Sequence, residues 1–392
     1  MKIVKLETFR ADAGWRLFSF CKITTDDGLV GWSEYNESFG SSGLSSVIEA
    51  LAPLIMGRDP SAWEAITAWL HVCTRQSRGG LNQQAIAAIE NACLDIAAKA
   101  RGIPVYRLLG GPIRTRIPVY WSHFATYRVG VRAPHTGHPP LASRDEIATH
   151  AAEVKALGFK ALKTNILPVD ETGRPGHFNP GFGRTPGHPE LNWDNALLKQ
   201  CHDHLTVIRD AIGPEMGLML DVNFHFKTEG FLRIAETVAP FNLTWLEIDS
   251  HDAPSVRLIR DAAPCPIAGG ETLHGRREFR PFFENQSYDT AIIDVVWNGL
   301  AESLKMAAMA DVYEVNCAPH NFYGHLCSMI SASFAACAPN LRIMEIDIDS
   351  AAWRDELFRS VPTFADGCLV LPDAPGWGIE PDEAAIRKRA PK

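Results

Sequence analysis

The sequence has no Cys-x-x-Cys pair, no long apolar run and no block of lysine and arginine. Each absence removes a class of protein. Nine cysteines scattered singly, an odd number, suit reduced packing side chains better than a disulfide framework or a zinc site. No stretch stays apolar for the roughly 20 residues a membrane helix needs. The opening MKIVKLETFRA alternates like a strand and lacks the apolar centre of a signal peptide, so the expected location is cytoplasmic, with no membrane partner. The 38 basic and 46 acidic side chains give a formal net charge of −8 and no surface able to neutralise many phosphates. Nucleic acid is not an expected partner.

What is present is a globular chain of 392 residues, 46% hydrophobic, long enough for one large domain and a smaller one. The first 35 or so residues read as strands (KIVKLETF, LFSFCKITT and GLVGWSEY), with a hairpin turn at Asp26, Asp27 and Gly28. From Ser45 to Gly102 the pattern turns helical, with Ile86, Ile89, Cys93 and Ile96 on one face and Gly102 with Pro104 as the stop. Residues 1–115 are therefore expected to form an α+β module. Beyond it, short apolar runs alternate with longer amphipathic stretches: IPVYWS, FKALKTN, GLMLD, LTWLE, CPIAGGE, TAIID, YEVNCAPH and LRIME. Eight such runs predict a closed β/α barrel over 116–352. The Pro-, Asp- and Gly-rich segment 353–392 is expected to return to the first module.

The later runs end in Asp221, Glu247, Glu271, Asp294, His320 and Glu345, at steps of 26, 24, 23, 26 and 25 residues. A single aspartate at a strand end is usually a cap or a solubilising group. A near-constant step instead places these side chains at equivalent carboxyl ends of successive strands, the catalytic face of a barrel. Three carboxylates on adjacent strands repel one another in a low-dielectric mouth unless a cation lies between them. All-oxygen ligands favour a hard ion, Mg²⁺ first and Mn²⁺ second, on Asp221, Glu247 and Glu271. Asp294 and His320, on neighbouring strands, pair as an orienting carboxylate and a base. In LKTNI, residues 162–166, Lys163 and Asn165 share a strand face and look into the barrel, while Leu162 and Thr164 look away.

This ordered set resembles the enolase superfamily, in its mandelate racemase branch, over almost the whole chain. The resemblance implies a capping module and a modified (β/α)7β TIM barrel. It implies a Lys-x-Lys-like element at Lys163, metal ligands at Asp221, Glu247 and Glu271, a His320–Asp294 dyad and a glutamate at Glu345. It further implies a small carboxylate substrate and a homo-oligomer. In such enzymes a base removes the weakly acidic proton beside a carboxylate, and the resulting enediolate is held by Mg²⁺ and positive groups. The expected activity is dehydration of a sugar acid, aldonate or aldarate, to a 2-keto-3-deoxy acid. Racemase, epimerase or cycloisomerase chemistry shares the first step, and an acid-binding barrel without catalysis is the rival from another class.

The sequence also departs from that family. Racemases of the branch use a second lysine as the opposite base, and here that position is Asn165, which is left to bind substrate or a neighbouring carboxylate. After Glu247 the chain reads IDS, where many relatives carry a proline. Asn223 and His225 follow Asp221 at i+2 and i+4 and share its face if the strand continues. Asn223 is then a substrate contact, and His225 either the acid for the leaving hydroxide or a rim histidine. Glu345 is either a protonated donor to the substrate carboxylate or strand-end polarity shared with Asp347. RAPHTGHPP and the stretch from Pro168 to Pro189, with Arg174, His177, Arg184 and His188, read either as a lid or as linkers. Residues 74–82 and the stretch at Trp15 and Arg16 resemble the family's specificity loops, and their polarity suits a substrate bearing several hydroxyls.

Overall fold

The computed structural model describes residues 1–180 and 193–391. Three antiparallel strands, β1 (Ile3–Asp12), β2 (Leu17–Thr25) and β3 (Val30–Tyr35), open the chain in the order β1-β2-β3. The expected helical region is three helices, Leu44–Leu51, Trp63–Cys73 and Gly80–Ala100, because Pro53, Gly57 and Pro60 break the first from the second and Gly79 and Gly80 the second from the third. The third helix is buried on nearly every side. One face packs on the sheet so closely that a Cβ on Gly31 of β3 would meet the Ala92 carbonyl at 2.2 Å.

The barrel strands are β4 (Arg116–Trp121), β5 (Ala161–Thr164), β6 (Gly217–Asp221), β7 (Trp245–Glu247), β8 (Ile267–Gly269), β9 (Thr290–Asp294), β10 (Asn316–His320) and β11 (Met344–Ile346). Each falls in one of the eight apolar runs. They pair in parallel from β4 to β10, and β11 returns to β4 with Glu345 opposite Tyr120. Inside, Tyr120, Ala161, Met219, Trp245, Ala268, Ile292 and Ala318 form a small packed layer, and outside a much larger core joins strands to helices. The fold is a modified TIM barrel with an N-terminal α+β cap.

After β11 the chain serves both parts. A hairpin, β12 (Thr363–Ala365) with β13 (Cys368–Val370), adds antiparallel to the first half of β4. Trp377 then donates its indole N–H to Trp32 O at 2.8 Å, and Asp12 N donates to Arg389 O at 2.8 Å. Among the described residues no helix is long and apolar enough to cross a membrane. All nine cysteines are unpaired; Cys73 is exposed, so not every one is a packing residue.

The two parts are joined by acids that cap barrel helices from outside. The helix Leu300–Val312 starts after Gly299, which has no side chain to cap it. Asn91 Oδ1 accepts from Leu300 N at 3.0 Å and Glu90 Oε1 from Ala301 N at 2.8 Å. Glu34 does the same for the helix His325–Cys337, accepting from Gly324 N at 2.8 Å and Cys327 N at 3.1 Å. A Cβ on Gly299 would lie 2.5 Å from Glu90 Oε1, and one on Gly324 would lie 2.3 Å from Glu34 Oε1, so a larger residue at either helix start would displace the capping carboxylate.

Burial raises the Glu90 carboxyl to about 8 despite the Ala301 N–H. An acid raised in the folded state adds nothing below its unfolded pKa and destabilises increasingly as pH rises through the folded one. Glu90→Gln keeps the acceptor and cannot ionise. It should leave the melting temperature nearly unchanged at pH 4.5 and raise it at pH 8.5, the free-energy gain being about 1.4 kcal/mol for each tenfold by which folding weakens the acid. Thermal melts at both pH values check this; a loss at pH 8.5 would mean the helix start holds Glu90 ionised.

Candidate active site

At the carboxyl ends of the strands the six spaced residues meet. Parallel register sets Asp221 beside Glu247 and Asp294 beside His320. Lys163 Nζ, on β5, lies 2.8 Å from Glu247 Oε1, 3.2 Å from Glu345 Oε1 and 3.5 Å from Asp221 Oδ2. It sits 5.6 Å above the Tyr120 ring, while the Trp245 indole N–H donates to Glu247 Oε2 at 2.8 Å. Burial opposes the ammonium charge, but Glu247, Glu345 and Asp221 outweigh it and raise the Lys163 pKa well above normal. In this arrangement the lysine is held as a cation.

His320 Nδ1 lies 2.6 Å from Asp294 Oδ2, and its Nε2 lies 3.2 Å from Glu271 Oε2. Asp294 is itself held: its Oδ1 accepts from Trp297 N at 2.7 Å and its Oδ2 from the Tyr323 hydroxyl at 2.5 Å. Burial lowers the His320 pKa, but Glu271, the Asp294 hydrogen bond and Glu345 overcome this and bring it to about 10. Burial with repulsion from Asp221, Glu271 and Glu345 lifts Glu247 to about 8, even against Lys163. The site is therefore short of positive charge. Six buried or nearly buried carboxyl groups (Asp221, Glu247, Asp249, Glu271, Asp294 and Glu345) surround the two cations Lys163 and His320.

This donor set fits a hard dication. Among the described residues no three acidic, histidine or cysteine side chains form a ready-made cage; the carboxylates turn to Lys163 and His320 instead. Asp249, in the IDS stretch that departs from relatives, is fully buried with both carboxyl oxygens lacking a hydrogen-bond partner among the described residues. Its pKa is pushed far up, first by burial and then by Glu271, Asp221 and Glu247. A dication held by Asp221, Glu247 and Glu271 would offset that repulsion.

The other expected residues fare unequally. Asn165 lies just past β5 and lines the cavity, but its amide is already engaged, accepting from Thr126 Oγ1 at 2.9 Å and donating to Asp221 O at 3.0 Å. β6 ends at Asp221, and Asn223 turns into the left-handed region at φ 46, which breaks the alternation assumed for the next residues. Asn223 lines the cavity; His225 does not. Burial lowers the His225 pKa to about 4, so it carries no proton to give at neutral pH. Glu345 is not a protonated donor either. Burial would raise it, but Lys163, His320 and His123 with the Ser122 hydroxyl hold it at about 2, and it also accepts from Asn321 N at 2.7 Å.

These groups floor a cavity of about 350 Å³ with a largely aromatic wall. Phe39 and Gly40 come from the loop after β3, Tyr127 and Arg132 from the insertion after β4, Trp297 from after β9 and Phe322 from after β10. Residues 74–82 do not line it; Gly79 packs toward His274 and Glu278. Trp15 backs the wall, its ring 4.9 Å from Tyr127, and Arg16 is buried, donating to Phe322 O at 2.6 Å. The expectation of a polar specificity surface from these loops is thus corrected. The second insertion reaches the cavity through His177, whereas Arg184, His188 and Pro189 lie outside the described residues. Sequence reasoning passed over Tyr323 and Phe39, and it singled out the stretches that hold Asp249 (IDS) and Arg132 (RAPHTGHPP) without giving either residue a role.

Comparison with known proteins agrees with this architecture. Residues 12–110 match the mandelate racemase / muconate lactonizing enzyme N-terminal domain, and residues 146–385 the enolase C-terminal domain-like family. The chain belongs to the enolase superfamily, in its mandelate racemase branch. It is 29% identical to the D-galactonate dehydratase family member RspA of Halomonas elongata, over 99% of this chain and 95% of the relative. It is 25% identical to the D-mannonate dehydratase of a Sphingomonas species, over 94% and 90%. A crystal structure from Burkholderia xenovorans strain LB400, provisionally described as an L-alanine-DL-glutamate epimerase, superposes with TM-score 0.96 at 46% identity, covering 100% of this chain and 99% of that one. The same protein has been solved with magnesium and fumarate.

Binding of an ion to the folded state alone raises the melting temperature. Millimolar Mg²⁺ should raise it in the native protein by several degrees and do so far less in Glu247→Gln or Glu271→Gln. An equal rise in both variants would remove these carboxylates from the metal site.

Proposed function

We propose that the chain is a Mg²⁺-dependent hydro-lyase that removes water from a sugar acid to give a 2-keto-3-deoxy acid. The observation that carries this reading is the pairing of one proton carrier, His320, with a lysine locked as a cation by Glu247, Glu345 and Asp221. His320 takes the proton α to the substrate carboxylate. Asp294, itself held by Tyr323 and Trp297, fixes the ring so that Nε2 is the working nitrogen. Lys163 is already oriented by the time charge builds on the enediolate, so it stabilises that charge without reorganisation. Asp221, Glu247 and Glu271 would hold the Mg²⁺, which supplies Lewis-acid stabilisation of the same charge when bound. The β-hydroxyl leaves as water with the proton carried by His320, and the enol product becomes the 2-keto acid.

Dehydratase names among the curated relatives support this reaction class, and a magnesium- and dicarboxylate-bound structure among the neighbours supports the cofactor. The epimerase name borne by the 46% identical neighbour calls for a second proton carrier. Asn165, which stands where the branch's racemases carry their second base, is an amide and cannot take a proton.

Incubation with a panel of aldonic and aldaric acids and Mg²⁺ should yield 2-keto products, and His320→Asn should abolish both product and exchange of the α-proton with deuterated solvent. Asp294→Asn should retain a weakened form of both. NMR of the recovered acid at partial conversion should show no C2 epimer. An epimer appearing as fast as the keto acid would reveal a second base and overturn the one-sided mechanism.

A further inference from the structure

Arg132, in the insertion after β4, lines the cavity at the level of its aromatic wall. Its guanidinium carbon lies 5.1 Å from the Tyr127 ring centroid, 5.6 Å from Trp15 and 5.7 Å from Phe39. Three rings hold the charge in place. Among the described residues it has no ion-pair or hydrogen-bond partner. Asp347 is buried behind this wall, where it lies 3.5 Å from Arg16 and 3.4 Å from His123, with neither carboxyl oxygen in a hydrogen bond among the described residues. His177 also lines this part of the cavity, and its Nε2 is buried without a partner among the described residues.

The position of this group relative to the reacting end follows from a chain of contacts. Ser122 donates to Glu345 at the strand ends, His123 follows it and stacks on Tyr127 with ring centroids 4.4 Å apart, and Arg132 lies over Tyr127 in turn. The wall thus leads from the Lys163 cluster outward to an uncompensated cation. A half-buried guanidinium with five donors and no acceptor is costly unless an anion meets it, and its planar fork fits a carboxylate.

We infer that Arg132 receives a second carboxylate of the substrate, so that the cavity takes a dicarboxylic sugar acid, an aldarate, in preference to the aldonate of the same configuration. One carboxylate lies at the Lys163 end and the other at Arg132, with the hydroxylated carbons between aromatic faces. This assignment rests on the dehydratase reading only for the identity of the chain between the two anions.

Two measurements test it on the Mg²⁺-loaded protein. Calorimetric titration compares adipate, which has the chain length of a six-carbon aldarate, with hexanoate, and kinetics compare galactarate and glucarate with galactonate and gluconate. The native protein should favour the diacid in both, and Arg132→Gln should erase about 10- to 100-fold of that margin, with Arg132→Lys retaining part of it. Equal affinity for mono- and dicarboxylates in the native protein, or a margin intact in Arg132→Gln, overturns the inference. If the glutamine variant does not fold, the native ratios alone decide. Arg132-dependent binding of diacids without turnover of any sugar acid would sink the dehydratase reading and leave this one standing. Efficient aldonate dehydration indifferent to Arg132 would do the reverse.

Discussion

The structure of the barrel mouth depends on one buried ammonium group. Lys163 is almost wholly removed from water, yet it remains charged because Glu247, Glu345 and Asp221 converge on it from three strands. Either side of this arrangement would be intolerable alone: a bare ammonium would deprotonate, and bare carboxylates would protonate or spread apart. The cluster is still over-supplied with negative charge, as the raised carboxyls of Glu247 and Asp249 record. A dication held by Asp221, Glu247 and Glu271 would relieve that repulsion. The repulsion is also poor material for stability, so it persists only because the strands beneath are locked by parallel register and a packed floor of Tyr120 and Trp245.

The same economy governs the dyad. His320 and Asp294 are register neighbours, but their orientation is set by groups from the following turns: Tyr323 and Trp297 N on Asp294, and Asn321 N on Glu345. Those turns are in turn pinned by the capping module. Arg16 donates to Phe322 O, and Glu34 holds Gly324 N and Cys327 N. A proton-transfer group on one part of the molecule is thus held in place by side chains of the other.

This division explains what the sequence made legible. The strand-end residues recur every 23 to 26 residues because each βα unit has nearly the same length, and a regular step in sequence becomes a ring in space. All eight strands were readable from the apolar runs, and the ends of the last six from that step. The face of Lys163 followed from alternation, and Thr164 does look outward, its hydroxyl 3.0 Å from His204 Nε2. Alternation failed where the strand stopped: Asn223 enters the left-handed region one residue pair after Asp221, and His225 leaves the cavity. Glu345 stayed between two readings for a different reason. Its protonation depends on Lys163, His320, His123 and the Ser122 hydroxyl, brought from other strands and loops, a sum no local pattern contains. The specificity surface was misassigned because loops are positioned by tertiary contacts, so polar composition at 74–82 carried no information about which loop covers the mouth.

Floor and wall therefore answer to different constraints. The floor is built from strand ends whose spacing and burial leave little freedom, because its charged groups must balance one another there. The wall is assembled from Phe39 of the cap, Tyr127 and Arg132 of one insertion, His177 of another and Phe322 beside the dyad. None of these is required for the charge balance below, so each can change without unfolding the site. Relatives sharing the floor can then carry different substrates. In this chain the aromatic wall is interrupted by a half-buried guanidinium without a partner among the described residues, and because aromatic faces discriminate weakly among hydroxyl configurations while a positioned cation discriminates by charge, a diacid bound at Arg132 would owe more of its selection to that group than to the rings around it.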